Sequence, residues 1–432
     1  MRYASINNSL FTDNRRRFAS RMKPNSIAVF NANDVMPTGA DGTMKFRQNS
    51  DLFYLSGVDQ EETILVLFPD SIDPDHCEVL FVRETSEHIA IWEGEKLNKE
   101  QATAVSGVRK VYWTHQFKQI LYTLMVEAEN VYLNTNEHYR AVIEVETRDA
   151  RFVKWCRETY PMHNYLRSAP ILHELRAIKS DIEIELMRKA CDLTEKGFRR
   201  VLGFIKPGVW EYEIEAELAH EFIRHGAGFA GYEPIIAAGK NSCVLHYNIN
   251  DKQCHDGDVL LMDFAAGYAN YQSDLTRTVP VNGKFTQRQR DVYNAVLRVM
   301  RYATTRLVPG NMIVDYHKEV GLAMEEELIK LGLLDAAEVK KQNPDAPLYK
   351  KYFMHGTSHY LGIDVHDVGA RYRKFEAGMV YTCEPGIYIP AEGIGVRIEN
   401  DILLSNNGPV DLMANIPIEA DHIEQLMAEA RN

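Results

Sequence analysis

No stretch of this chain stays apolar over the ~20 residues that a bilayer-crossing helix needs. Residues 1–18, MRYASINNSLFTDNRRRF, hold neither the apolar core of a secretion signal nor a small-residue cleavage site. A soluble, cytoplasmic protein is the expectation. Lysine and arginine form no extended basic block and the formal charge is -12, so nucleic acid and anionic membrane surfaces would find no electrostatic footprint to bind. The six cysteines are scattered without a C-x-x-C pair, which argues against a disulfide framework or a zinc ribbon. Reduced, mostly buried thiols are expected instead.

What is present is enough apolar material, 45% of 432 residues, for two hydrophobic cores. Between Phe46 and Tyr132, β-rich runs such as TILVLF (63–68) and CEVLFV (77–82) alternate with helical stretches such as FKQILYTLMVEAE (117–129). That pattern predicts an α/β domain with a mixed sheet. Ser180-x-x-Glu183 is a capping-box signature ahead of a long amphipathic run. The boundary is expected between Arg167 and Arg176, giving domains of residues 1–170 and 171–432.

The second domain shows signs of an internal duplication. Residues 205–227 and 307–333 each begin with a Pro-Gly turn followed by helix-period patterning, with another helix-like run upstream and a β-rich section downstream. Those β-rich sections are residues 258–281, DVLLMDFAAGYANYQSDLTRTVPV, and 379–404, MVYTCEPGIYIPAEGIGVRIENDILL. A turn centred between Tyr268 and Ala269 would set Asp263 opposite Asp274, and a turn at residues 390–393 would set Glu384 opposite Glu399. Directly opposed side chains have Cβ atoms about 4.5–5.5 Å apart, so each acidic pair could reach one cation or bridge two. One such pair could be accidental. Two pairs flanked by Leu261, Met262, Phe264, Val380 and Ile398 point to burial, and buried carboxylates in that number require compensating cations.

An imidazole would complete the donor set and move the expectation from magnesium or calcium toward manganese, cobalt, iron or zinc. Residues 355–367, HGTSHYLGIDVHD, offer three. Their glycines and alternation predict an extended strand, on which His359 and His366 face opposite sides unless Gly362 carries a bulge. His355 would lie roughly 13 Å from His359 along such a strand. Parity alone does not choose the ligand between His359 and His366.

These residues resemble the aminopeptidase P and prolidase family of metal-dependent peptidases, whose catalytic domain has the α+β pita-bread fold with a pseudo-twofold duplication. The matching stretches are LHY (245–247), LMDFAAGYANYQSDLTRT (261–278), HGTSHYLGIDVHDVG (355–369), EPGIYI (384–389) and GVRIEND (395–401), and RQNSDLFYLSGV (47–58) resembles the N-terminal domain of aminopeptidase P. The resemblance spans nearly the whole chain. It implies a dinuclear site, commonly manganese, in which Asp274 and Glu399 bridge the ions, Asp263 chelates one, and His359 and Glu384 complete the other. Four carboxylates balance two divalent ions, and a bridging hydroxide leaves the core at -1. Two ions about 3.5–4 Å apart acidify a shared water and polarise the scissile carbonyl.

The implied reaction is hydrolysis of an X-Pro amide, releasing the N-terminal residue of peptides with proline second. Glu384 would double as proton shuttle, His366 and His246 would stabilise the oxyanion or hold substrate, and His355, Tyr232 and Arg397 would form the proline pocket and orient the substrate. Trp92 matches a tryptophan that in the family reaches a neighbouring subunit, although an ordinary core aromatic reads equally well there. A homo-oligomer, dimer or tetramer, is implied. The near alternative is a prolidase restricted to Xaa-Pro dipeptides. A non-catalytic peptidase-like binding protein would have lost ligands, and all five are present.

Overall fold

The computed structural model describes residues 3–141, 144–370 and 372–431. Residues Tyr3–Arg176 form one compact unit, and the chain from Ala177 onward forms the other.

In the first unit, six strands form a single sheet: β1 (Ser26–Asn31), β2 (Ile64–Leu67), β3 (Glu78–Val82), β4 (Lys110–Trp113), β5 (Asn130–Leu133) and β6 (Asn164–Arg167), in the order β4-β3-β2-β1-β5-β6. The antiparallel pairs are β1/β2 and β2/β3, while β3/β4, β1/β5 and β5/β6 run parallel. The sheet is therefore mixed, as the alternating runs predicted. Every residue of central β1 is buried, as a strand covered on both faces should be. One of those faces packs Ile27, Val29, Val66 and Phe81 against Phe117, Leu121 and Leu124 of the helix Phe117–Glu127.

The second unit begins with the capping box. Ser180 Oγ accepts from the Glu183 N–H, and the Glu183 carboxylate accepts from the Ser180 N–H, opening the helix Asp181–Phe204. That helix is followed by Glu211–Arg224, and later Gln287–Arg306 is followed by Ile313–Lys330. The two Pro-Gly turns between these helix pairs are conformational twins. Gly208 and Gly310 both sit at φ +96°, a left-handed conformation that glycine adopts without Cβ strain. Isolated bridges Trp210–Gln253 and Met312–Lys374 recur at matching places, and Gly257 and Gly378 follow them with φ of +84° and +89°. At the same offset again, Asp263 in one half corresponds to Glu384 in the other.

The remaining strands are β7 (Gly228–Phe229), β8 (Ile235–Ala238), β9 (Val259–Asp263), β10 (Ala266–Tyr268), β11 (Tyr271–Gln272), β12 (Thr276–Pro280), β13 (Val380–Cys383), β14 (Gly386–Ile389), β15 (Ile394–Arg397), β16 (Asn400–Ser405) and β17 (Gly408–Asp411). Their orders are β12-β9-β8, β11-β10-β7 and β13-β16-β17, with β14 paired to β15. In the second hairpin, Cys383 faces Asn400 and Gly386 faces Arg397. This is the expected register, with Glu384 opposite Glu399.

Two expectations fail. In the first hairpin the turn residues are Ala269 and Asn270, with φ of +51° and +63°, and Tyr268 pairs with Tyr271. Asp263 therefore faces Thr276 rather than Asp274. Two consecutive left-handed residues are what a tight hairpin turn demands, and Asn270 tolerates that conformation better than most residues. The two aspartates are diagonal neighbours. Residues 355–367 also form no strand; their single ladder contact is the bridge Tyr360–Tyr381. The chain turns back at Gly362, whose N–H reaches the Asp364 carbonyl at 3.1 Å, and the Asp367 N–H returns to the Tyr360 carbonyl at 2.9 Å. Strand parity therefore does not apply to its histidines.

Candidate metal centre

Strands β9, β12, β13 and β15 end around one buried acidic cluster. Asp263 closes β9, Asp274 lies between β11 and β12, Glu384 follows β13, and Glu399 lies between β15 and β16. Tyr232 Oη lies 2.9 Å from Asp263 Oδ1 and 2.7 Å from Asp274 Oδ1, so the diagonal register still brings both aspartates to one point. Thr276 Oγ1 donates to Glu399 Oε2 at 2.6 Å and accepts from Arg397 Nε at 3.1 Å. Arg397 also donates to Asp263 Oδ2 at 2.6 Å and to Tyr388 Oη at 2.9 Å. From behind, the Asp274 N–H is held by the carboxylate of buried Asp401 at 3.1 Å.

His359 enters this cluster. Its Nε2 lies 3.5 Å from Asp274 Oδ2 and 3.6 Å from Glu384 Oε1. Its Nδ1 lies 3.0 Å from the Tyr360 carbonyl, an arrangement in which Nδ1 carries the proton and Nε2 keeps its lone pair for a cation. The ring of His366 stands perpendicular to that of His359, with centroids 4.4 Å apart. His355 stands on the other side of Glu384, with Nδ1 3.8 Å from Oε2. It donates from Nδ1 to the Gly356 carbonyl and accepts at Nε2 from Tyr388 Oη, both at 2.8 Å. His246 is exposed and close enough to His355 to affect its proton affinity electrostatically.

The electrostatics describe a centre with surplus negative charge. Burial pushes Glu384 up to about 7, against the pull of His359 and Arg397. Glu399 is held well above the carboxylate range by burial and by Asp274, Glu384 and Asp263. Asp263 is raised by burial, with Arg397 opposing. Burial would lower His359, but the hydrogen bond to Asp274 and the charge of Glu384 raise it overall. Burial, assisted by the positive charge of Arg397, pulls His355 down to about 3. A cation placed among these carboxylates would reverse most of these shifts.

The donor set fits a divalent ion. Among the described residues, Asp274, His359 and Glu399 each offer a ligand atom, and these atoms lie within 4.8 Å of one another. Asp263 and Glu384 flank that trio through Tyr232 and His359. Carboxylate oxygens with one imidazole nitrogen suit manganese, iron, cobalt or zinc.

Of the residues singled out in the sequence, Asp263, Asp274, Tyr232, His355, His359, His366, Glu384, Arg397 and Glu399 share this one neighbourhood. Trp92 lies in the first unit on the helix Glu87–Glu93 and is 76% exposed, which rules out its reading as an ordinary core aromatic of this chain. Sequence reasoning missed Thr276, Tyr388 and Asp401. Tyr388 was within reach, because in an extended run it shares the face of Glu384. Thr276 follows once Asn270 is placed in the turn.

The fold and this cluster define a metallopeptidase. Residues 185–406 match the model for metallopeptidase family M24, and residues 11–132 match the aminopeptidase P N-terminal domain. The chain belongs to family M24. It is 37% identical to the Xaa-Pro aminopeptidase of Escherichia coli K12 over 99% of both chains, and 36% identical to that of Haemophilus influenzae over 96% of both. Its structure is similar to that of E. coli aminopeptidase P with the inhibitor Pro-Leu, at a TM-score of 0.87 and 36% identity, covering 99% of this chain and 100% of that one.

Proposed function

We propose that the chain is a metal-dependent Xaa-Pro aminopeptidase, releasing the N-terminal residue from peptides with proline second. The observation that carries this reading is the convergence of Asp274, His359 and Glu399 on one buried point, in a chain matched end to end by Xaa-Pro aminopeptidases. The zinc-substituted E. coli protein has been obtained in complex with product, which supports a site that accepts more than one divalent ion. We assign manganese as the working metal, with cobalt, zinc and iron as substitutes.

In this reading Asp263, Asp274, His359, Glu384 and Glu399 would hold a pair of divalent ions. Bound divalent ions would supply Lewis-acid polarisation and an acidified water. Glu384 takes the proton of the attacking water and passes it to the prolyl nitrogen as the amide breaks. His366 and His246 donate to the carbonyl oxygen as it gains charge. Neutral His355, fixed by Tyr388, borders the pocket, and Tyr232 and Arg397 hold the aspartates and the substrate in place. Because an X-Pro amide has no N–H, recognition rests on the shape of the proline ring. A cytoplasmic homo-oligomer, in which exposed Trp92 faces a second copy, belongs to the same proposal.

The test is an assay of chelator-stripped protein reloaded with manganese, offered Xaa-Pro-Yaa, Xaa-Pro and Xaa-Ala-Yaa. The tripeptide with proline should be cleaved fastest. Preference for the dipeptide would make the chain a prolidase, and turnover indifferent to proline would overturn the assignment.

A further inference from the structure

The loop carrying His359 and His366 is tied down at several places. The His359 carbonyl accepts from the Thr382 N–H, and the Leu361 N–H donates to the Val380 carbonyl, both at 3.1 Å. Gln272 binds the next two carbonyls, Gly362 through its N–H at 2.8 Å and Ile363 through Nε2 at 3.0 Å. After His366, the chain is anchored at Asp367, whose Oδ2 meets Lys179 Nζ at 3.2 Å. Both side chains of this ion pair are only 1% exposed.

Lys179 is itself rigidly held. Its N–H donates to the Gly378 carbonyl at 2.8 Å, and the next residue is Ser180, the cap of the helix Asp181–Phe204. Gly362 leaves the space the pair occupies, since a Cβ there would fall 2.1 Å from Asp367 Oδ2 and 2.9 Å from Lys179 Cε. A buried ion pair adds little stability over an apolar pair of the same volume. It does fix direction, because the carboxylate must meet the ammonium.

We infer that Lys179 and Asp367 are positioning residues, a buried clamp that sets the backbone of His366 and so aims its imidazole at the reacting carbonyl. The inference rests on the peptidase reading above and adds residues that neither touch substrate nor bind metal. Misplacing a catalytic group by about 1 Å costs on the order of 100-fold in rate, so a loosened clamp should appear in kcat.

The experiment is steady-state kinetics of the manganese-loaded full chain on Xaa-Pro-Yaa for Lys179→Met and for Lys179→Met/Asp367→Leu, which removes both members of the ion pair. Each should lower kcat on the order of 10–100-fold, with KM within about 2-fold and metal content at the parent level. The effect of Lys179→Met should nearly vanish in a His366→Ala background and persist in a His246→Ala background, because coupled residues are non-additive. Parent-like kcat in the folded double variant would overturn the inference, as would equal losses in both histidine backgrounds. Failure of the double variant to fold would assign the pair to stability and overturn it too. An inactive parent chain would count against the peptidase reading instead.

Discussion

The imidazoles of His359 and His366 stand at right angles with centroids 4.4 Å apart, and His359 reaches the carboxylates through Nε2 contacts of 3.5 and 3.6 Å to Asp274 and Glu384. The proposed reading gives these neighbouring rings separable duties, His359 as ligand and His366 as oxyanion donor. His359→Ala should strip metal from the protein and abolish turnover without unfolding it. His366→Ala should keep its metal while kcat falls about 10²–10³-fold, as for loss of one oxyanion donor. Elemental analysis beside kinetics separates them, and equal metal loss in both variants would refute the division.

Glu384 is the carboxylate between His355 and His359. If it moves the proton from water to the prolyl nitrogen, Glu384→Gln should lower kcat by about 10²–10⁴-fold and weaken binding of a product dipeptide far less. Titration calorimetry with that dipeptide makes the comparison. Equal losses in turnover and binding would remove the shuttle role.

Tyr388 Oη donates to His355 Nε2 and accepts from Arg397 Nη1, while Arg397 holds Asp263. Tyr388→Phe leaves a buried acceptor and a buried donor without partners, at a cost of about 1–3 kcal/mol in stability. Thermal unfolding should show it, and kcat/KM should fall as His355 loses its orientation. A variant with parental melting temperature would mean that water replaces the hydroxyl.

Away from the centre, burial raises Asp149 to about 7, although Asn31 Nδ2 donates to its carboxylate. Its folded pKa exceeds its unfolded value, so the protein retains the full contribution of this group below the unfolded pKa near 3.8 and loses it as pH rises to about 7. The slope is about 1.4 kcal/mol per pH unit. Asp149→Asn should flatten that part of the stability profile, gaining on the parent between pH 4 and 7. Parallel melting curves across the range would contradict this.

The sequence revealed local patterns well. TILVLF and CEVLFV became β2 and β3 because β-rich runs bounded by turns are local signals, and Ser180–Glu183 became a capping box for the same reason. The Glu384–Glu399 register came out correctly from the turn at residues 390–393. Its counterpart was misjudged by two residues because Asn270, not Tyr268, occupies the left-handed turn. The histidine loop was misread as a strand because alternation in HGTSHYLGIDVHD mimics one, while the bonds that fold it come from Gln272, Val380 and Thr382. Lys179 and Asp367 lie far apart in the chain and share no spacing rule, so only the folded structure joins them.

The most direct measurement is the metal stoichiometry of the chelator-stripped chain after manganese reloading and gel filtration, for the parent and for Asp274→Asn. The account predicts about two ions per parent chain and a marked loss in Asp274→Asn at unchanged circular dichroism. A folded parent that retains no divalent ion, or a variant loaded as fully as the parent, would contradict it.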